Sequence, residues 1–268
     1  MKTADTALIR IFNVSKHYGS KPALINLTLD IFKNEFVFFT GPSGAGKSTL
    51  MSVLYGMYKP DEGDILIDGE SQVFTSPADA IAAFAEQALA LERGGADVIW
   101  IETMSSTEEV AAATEAAKRT GLSVCATLSF DTARCSMMGV TPGDFAQFAV
   151  DIELDMLGSN CGIGPAELLD STQGIVDSGI ALPVVAKGNC GIPQYKDGAI
   201  HFHGSPELMA QYALFARDVG ATIIGGCCGT TPDHVASMVN ALKTTAPRPF
   251  DAQAMVEALG TPWANLPT

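Results

Sequence analysis

Gly220-Ala221-Thr222-Ile223-Ile224-Gly225-Gly226-Cys227-Cys228-Gly229-Thr230-Thr231-Pro232 compresses a helix end, a strand, a sharp break and a helix start into one short run. Gly220 can close a helix because glycine enters the left-handed region without a side-chain penalty. Ile223 to Gly226 is short and apolar rather than alternating, which suits a parallel strand covered on both faces. Thr231-Pro232 then opens another helix. The hydroxyl caps free amides, and proline at the first helical position lacks only an N–H that would have no helical partner.

The same grammar recurs back to residue 76. Ser76-Pro77, Thr141-Pro142 and Ser205-Pro206 start helices, and Ser106 with Glu109 forms a capping box. Gly95, Gly121 and Gly179 close helices that feed apolar strands. Those strands are predicted at Val98 to Glu102, Val124 to Ser129, Leu154 to Ser159, Pro183 to Lys187 and Ile223 to Gly226. Strand and helix alternation of this kind predicts a parallel α/β fold. An eight-stranded β/α barrel takes about 250 residues, so five such units make a partial one. After Pro247 the pattern weakens to a short helix near Ala252 to Leu259 and a loop.

Residues 8–70 obey a different grammar. Leu8 to Val14, Leu27 to Ile31 and Phe36 to Phe39 read as strands, a helix runs from Lys47 to about Tyr58, and a strand at Asp64 to Ile67 ends in the turn Asp68-Gly69. Between strand and helix, Gly41-Pro42-Ser43-Gly44-Ala45-Gly46-Lys47-Ser48 fits the Walker A pattern. The amides around Gly41, Ser43, Gly44, Gly46 and Thr49 would close on phosphate oxygens. Lys47 would reach the outer phosphates and Ser48 would ligate magnesium, so the loop would take ATP with Mg2+. The other reading is a Gly-rich turn without a ligand.

Charge divides at the same place. Residues 1–70 carry 7 basic and 8 acidic side chains, leaving 9 and 22 for the rest. The net charge of −14 argues against nucleic-acid binding, which needs surplus Lys and Arg. No basic start followed by an apolar stretch marks a signal peptide, and no run approaches the roughly 18 apolar residues of a membrane span. The expectation is a cytoplasmic protein. In that compartment the six cysteines, all beyond residue 120, are expected to bind metal or fill the core rather than pair as disulfides.

Cys161, in Gly158-Ser159-Asn160-Cys161-Gly162, and Cys227-Cys228 both sit where a predicted strand ends, the face on which β/α barrels build active sites. Successive strand residues point to opposite faces, so a shared ligand would require the chain to leave strand geometry at the vicinal pair, as the flanking glycines permit. Three thiolates with an open fourth position would make a catalytic zinc site. Buried structural cysteines remain the alternative. Cys125 reads as core, Cys135 as a loop thiol, and Cys190 as a residue beside the presumed site. His201 and His203 alternate in an extended stretch, and His234 falls in the first turn of a helix with no special role.

Two families share these motifs. Val14 to Gly19, Ala23-Leu24, the Walker loop and Pro60 to Ile65 resemble an ABC transporter ATP-binding subunit of the cell-division type over residues 8–70. That resemblance implies that Tyr18 stacks on adenine. The glutamine loop, signature, Walker B and switch histidine of the family are absent, so no ATP turnover is expected. Gly94 to Val98, Glu102-Thr103, Ser129 to Asp131, Met137 to Val140, Gly158 to Gly162, Lys187 to Asn189 and Gly225 to Pro232 resemble the homocysteine S-methyltransferase family, particularly its bacterial betaine–homocysteine type, over residues 75–245. This second resemblance implies zinc held by Cys161, Cys227 and Cys228, with Glu102 and Asn160 against homocysteine. The implied chemistry is methyl transfer from a betaine-type donor to give methionine.

The first three strands of the family barrel have no counterpart here. The expected organisation is a truncated ABC-type fragment over 1–72, a partial barrel over 73–246 and a tail over 247–268. Open edges of a partial barrel admit a homo-oligomer. Three readings stand side by side: the methyltransferase, a non-catalytic ATP-binding protein, and a chimeric reading frame without activity as a unit.

Overall fold

The computed structural model describes residues 7–262, apart from 20, 34, 36, 38, 40–45, 55–57, 72–76, 103, 105, 131–133, 137, 192–193 and 197–198. Of the motif residues above, Phe36, Phe38, Gly41, Pro42, Ser43, Gly44, Ala45, Ser76, Thr103, Asp131 and Met137 lie outside the described residues. The chain divides into two compact units, Met1–Glu86 and Gln87–Thr268.

In the first unit, β1 (Ile9–Tyr18) and β2 (Lys21–Ile31) form an antiparallel hairpin, and α1 spans Lys47–Leu54. The strands β3 (Glu62–Ile67) and β4 (Glu70–Ser71) complete a sheet of order β2-β1-β3-β4. The first two strands outrun the short apolar segments predicted for them, because residues 15–18 and 21–26 join the ladder. Asn13 and Asn26, at φ 50° and 46°, lie where the register shifts. Asparagine tolerates the left-handed region, so such bulges admit polar residues within a continuous strand pair. Asp68-Gly69, at φ 52° and 82°, makes the tight turn from β3 to β4, its two left-handed residues matching the twist of a hairpin. Ile11, Val14, Leu24, Leu50, Val53 and Ile65 form the core between sheet and helix.

From α2 (Pro77–Arg93) onward the elements alternate: β5 (Val98–Ile101), α3 (Thr107–Lys118), β6 (Ser123–Leu128), α4 (Pro142–Asp151), β7 (Met156–Cys161), α5 (Pro165–Val176) and β8 (Val184–Gly188). A small hairpin of β9 (Gln194–Lys196) and β10 (Ala199–His201) precedes α6 (Pro206–Val219), β11 (Ile223–Gly226), α7 (Pro232–Thr244) and α8 (Ala252–Leu259). The five long-range strands pair in parallel in the order β11-β8-β7-β6-β5, a mixed α/β arrangement compatible with part of a β/α barrel. Among the described residues, no helix is long and apolar enough to cross a membrane.

The caps explain the boundaries. The side chains of Ser106, Thr141 and Ser205 accept hydrogen bonds from the N–H groups of Glu109, Asp144 and Leu208. Gly95, Gly121, Gly179 and Gly220 all take positive φ just past a helix. β7 ends two residues later than predicted, so Asn160 and Cys161 belong to the strand.

The parallel sheet curls. Lys187 on β8 and Glu102 beyond β5 are separated by β6 and β7, about 14 Å on a flat sheet whose strands lie about 4.8 Å apart. Side chains standing roughly perpendicular to such a sheet would not meet. Here Lys187 Nζ lies 2.6 Å from Glu102 Oε1.

Behind β8, the fully buried Tyr212 of α6 accepts a hydrogen bond from the Gly188 N–H at 3.0 Å. A Cβ on Gly188 would sit 2.9 Å from the same ring. Tyr212→Phe keeps the ring and removes the acceptor, leaving a buried N–H unpaired. Chemical denaturation should show a loss of about 1–3 kcal/mol; unchanged stability would mean the bond contributes nothing net.

Candidate metal centre

The centre is assembled from the carboxyl ends of β7 and β11, with β8 between them. Register places Cys161 opposite Gly188, and Gly188 opposite Gly226. The chain then leaves strand geometry on both sides. Cys161 and Gly162 take φ 61° and 75°, while Cys227 to Thr230 form a turn in which the Thr230 N–H donates to the Cys227 carbonyl at 3.2 Å. Gly229 at φ 77° supplies the left-handed residue of that turn.

These reversals bring the Sγ atoms of Cys161, Cys227 and Cys228 within 4.8 Å of one another, and Cys161 Sγ lies 3.7 Å from Cys228 Sγ. Cys228 is exposed and the other two are half-buried, so the cluster is open to solvent. Cys161 is held below its ordinary thiol range, first because Cys227 donates a hydrogen bond to it. Cys227 is pushed up by donating that bond and by burial, and Cys228 is pushed up by burial.

Asn189 holds the two cysteine loops together. Its Nδ2 donates to the Gly162 carbonyl at 2.6 Å, and its Oδ1 accepts from the Cys228 N–H at 3.0 Å. The Cys227 N–H donates to the Gly188 carbonyl at 2.8 Å, and the Cys190 N–H to the Cys228 carbonyl at 2.9 Å. In the sequence Cys190 reads only as a residue beside the presumed site and Asn189 only as part of the Lys187 to Asn189 stretch, and neither carries a role in holding the centre together. Their place immediately after the β8 strand, level with the cysteines, is the signal that could have found them.

Glu102 lies just past the end of β5, at the other edge of the same curled sheet. Its Oε1 accepts from Lys187 Nζ at 2.6 Å and from Thr127 Oγ1 at 3.3 Å, and the ammonium also sits 5.1 Å from the centroid of the Trp100 ring. Asn160 is buried, with its backbone carbonyl accepting from Ser129 Oγ at 2.8 Å. Its side-chain Oδ1 finds no hydrogen-bond partner among the described residues. Cys125 is fully buried, as its place within a strand implied. Burial and then the Glu102 carboxylate push its thiol up to about 12, against the pull of Lys187.

In the first unit, Lys47 and Ser48 open α1, followed by the half-buried Thr49, and Gly46 precedes them at φ 83°. Tyr18 ends β1, exposed, with its ring edge-on to Tyr58 at 6.0 Å.

Residues 35–242 match the family model described as homocysteine S-methyltransferase. Methionine synthase of Mycobacterium leprae is 28% identical over 167 residues, covering 60% of this chain and 14% of that protein. The xylose/arabinose import ATP-binding protein XylG of Sulfolobus acidocaldarius is 42% identical over 73 residues, covering 27% of this chain and 29% of that protein. The chain therefore spans less than a third of either relative's length. The apo form of the homocysteine methyltransferase MmuM from Escherichia coli is a solved structure with 23% identity and a TM-score of 0.49, covering 62% of this chain and 57% of that one.

Thiol reactivity should follow this geometry. With native protein near pH 8 and metal chelated, an alkylating reagent should label Cys228 and Cys161 well before Cys125 and Cys190, as read by peptide mass spectrometry. Cys125 should resist labelling even near pH 10 and react only on unfolding. Early labelling of Cys125 would contradict its place in the core.

Proposed function

The chain belongs to the homocysteine S-methyltransferase family, and on that premise we propose that Cys161, Cys227 and Cys228 hold a zinc ion and that homocysteine is methylated beside them to give methionine. The observation that carries this reading is the convergence of three thiol sulfurs within 4.8 Å at the open end of a parallel sheet. An all-sulfur donor set suits zinc better than harder ions, and three ligands leave a fourth position for substrate. When bound, zinc supplies a Lewis-acidic position at which an incoming thiol gives up its proton near neutral pH.

The chain's own residues bind and orient. Among the described residues, the hydrogen bonds to Glu102 fall on Oε1, and in this reading its second oxygen receives the ammonium of homocysteine. Lys187 and Thr127 fix the carboxylate for that task. The unpartnered Oδ1 of buried Asn160 is a second acceptor facing substrate, since an orphaned buried oxygen costs free energy until something donates to it. The donor in this reading is a betaine-type quaternary ammonium. The substrate sulfur attacks a donor methyl carbon, the carbon–nitrogen bond breaks with its electron pair, and a neutral tertiary amine leaves.

The five parallel strands then read as the carboxy-terminal units of a (β/α)8 barrel over 73–246, with a tail over 247–268. A truncated ABC-type fragment occupies 1–72, and 42% identity to an import ATP-binding protein over 73 residues supports it. Its Walker loop would bind ATP with Mg2+, with Tyr18 against adenine. It would not hydrolyse the nucleotide, because no residue in the sequence supplies the Walker B pair.

Protein purified in reducing buffer should carry about one zinc per chain, and Cys227→Ala almost none. Methionine formed from homocysteine and betaine should fall by about 100-fold or more in that variant, in line with the loss of a ligand that activates the nucleophile. Zinc-replete protein without methyl transfer would sink the enzymatic reading while leaving the metal site. Absence of zinc from soluble protein would sink both.

A further inference from the structure

His234 closes a hydrogen-bonded clasp around the Cys227-Cys228 loop. Its ring is buried at the start of α7, three residues after Thr231. Nδ1 lies 3.1 Å from the Thr231 nitrogen and 2.7 Å from Thr231 Oγ1. A backbone N–H can only donate, so Nδ1 carries the lone pair and the proton is on Nε2. Nε2 faces the Gly204 carbonyl at 3.1 Å and Cys190 Sγ at 3.0 Å. The Cys190 thiol donates to the same carbonyl at 3.0 Å. A carbonyl oxygen has two lone pairs and can accept both. Gly204 in turn donates its N–H to the Cys190 carbonyl at 3.1 Å, and Cys190 donates its N–H to the Cys228 carbonyl at 2.9 Å.

One imidazole thus joins three segments: the residues after β11 through Thr231, the residues after β8 through Cys190, and the entry to α6 through Gly204. Cys228 is held from both directions, by Thr231 three residues along the chain and by Cys190 across the gap. The space is closed to alternatives. A Cβ on Gly204 would sit 2.7 Å from the Cys190 carbonyl carbon, and one on Gly191 would sit 2.9 Å from the Gly204 nitrogen.

We propose that His234 is a positioning residue for the three-thiol centre, setting the place of Cys227 and Cys228 through the Thr231–His234–Gly204–Cys190 clasp. It touches neither the metal nor the substrate. The inference rests on the reading that Cys161, Cys227 and Cys228 hold a metal. Polar contacts behind a metal's ligands typically set about 10- to 100-fold in affinity.

The test separates the clasp from ordinary helix capping. Glutamine at the third helical position can still accept from the N-cap N–H, but its oxygen and nitrogen share one carbon and cannot reach both Thr231 and Gly204. His234→Gln should therefore keep the fold and lose the clasp, while His234→Ala loses cap and clasp. Zinc affinity of the full chain would be measured by competition with a chromogenic chelator, and thiolate-to-metal absorption on cobalt(II) substitution would report ligand geometry. The expected result is His234→Gln with native circular dichroism, about tenfold or greater loss of zinc affinity and an altered cobalt spectrum. Parental affinity and spectrum in His234→Gln would overturn the clasp while leaving the metal site standing. A parent chain that binds neither zinc nor cobalt would overturn the metal reading itself, and the clasp with it.

Discussion

One row of the parallel ladder, in which Cys161 faces Gly188 and Gly188 faces Gly226, carries the arrangement of the whole centre. Parallel pairing in register sends all strands out at the same end, so the segments following β7, β8 and β11 must emerge side by side. Two of the three residues in the row have no side chain. The space at Gly188 is filled by the Tyr212 ring, and that at Gly226 by Thr230. With the backbone exposed on this row, the Gly188 carbonyl can accept from the Cys227 N–H, and the loop folds back over the end of β8.

Curling of the sheet does what register alone cannot. It carries Lys187 to Glu102 across two intervening strands and leaves a charged pair, each side chain about a quarter exposed, inside the concave face. A half-buried pair of this sort gives little net stability once desolvation is counted. Its consequence is positional: one carboxylate oxygen is committed to Lys187 and Thr127, and the carboxylate cannot swing freely. Cys125 lies near the same charges but is sealed in the core, where its thiolate is disfavoured. Sulfur chemistry is thereby confined to the solvent-facing rim.

The two units satisfy their backbones by different means. The first pairs strands antiparallel around a small core and absorbs polar residues at bulges near Asn13 and Asn26. The second pairs strands in parallel and covers them with helices, which requires apolar strands and a cap at each helix end.

Helix boundaries are legible in the sequence because caps and closing glycines act within a turn of chain. Thr141, Ser205, Thr231 and Gly220 identify them locally, and the helix at Ala252–Leu259 is found at both ends. The start of α5 escapes such a reading because Gly164 rather than Ser or Thr precedes its proline. Polar runs in β1 and β2 escape as well, since their strand character comes from the opposite strand. Which distant residues meet is set instead by how the strands pack. Cys161 and Cys228 are 67 positions apart, Glu102 and Lys187 are 85, and Cys190 and His234 are 44. Each meeting depends on strand order, register and curl. Those properties arise from pairing between segments, and no local periodicity records the partner.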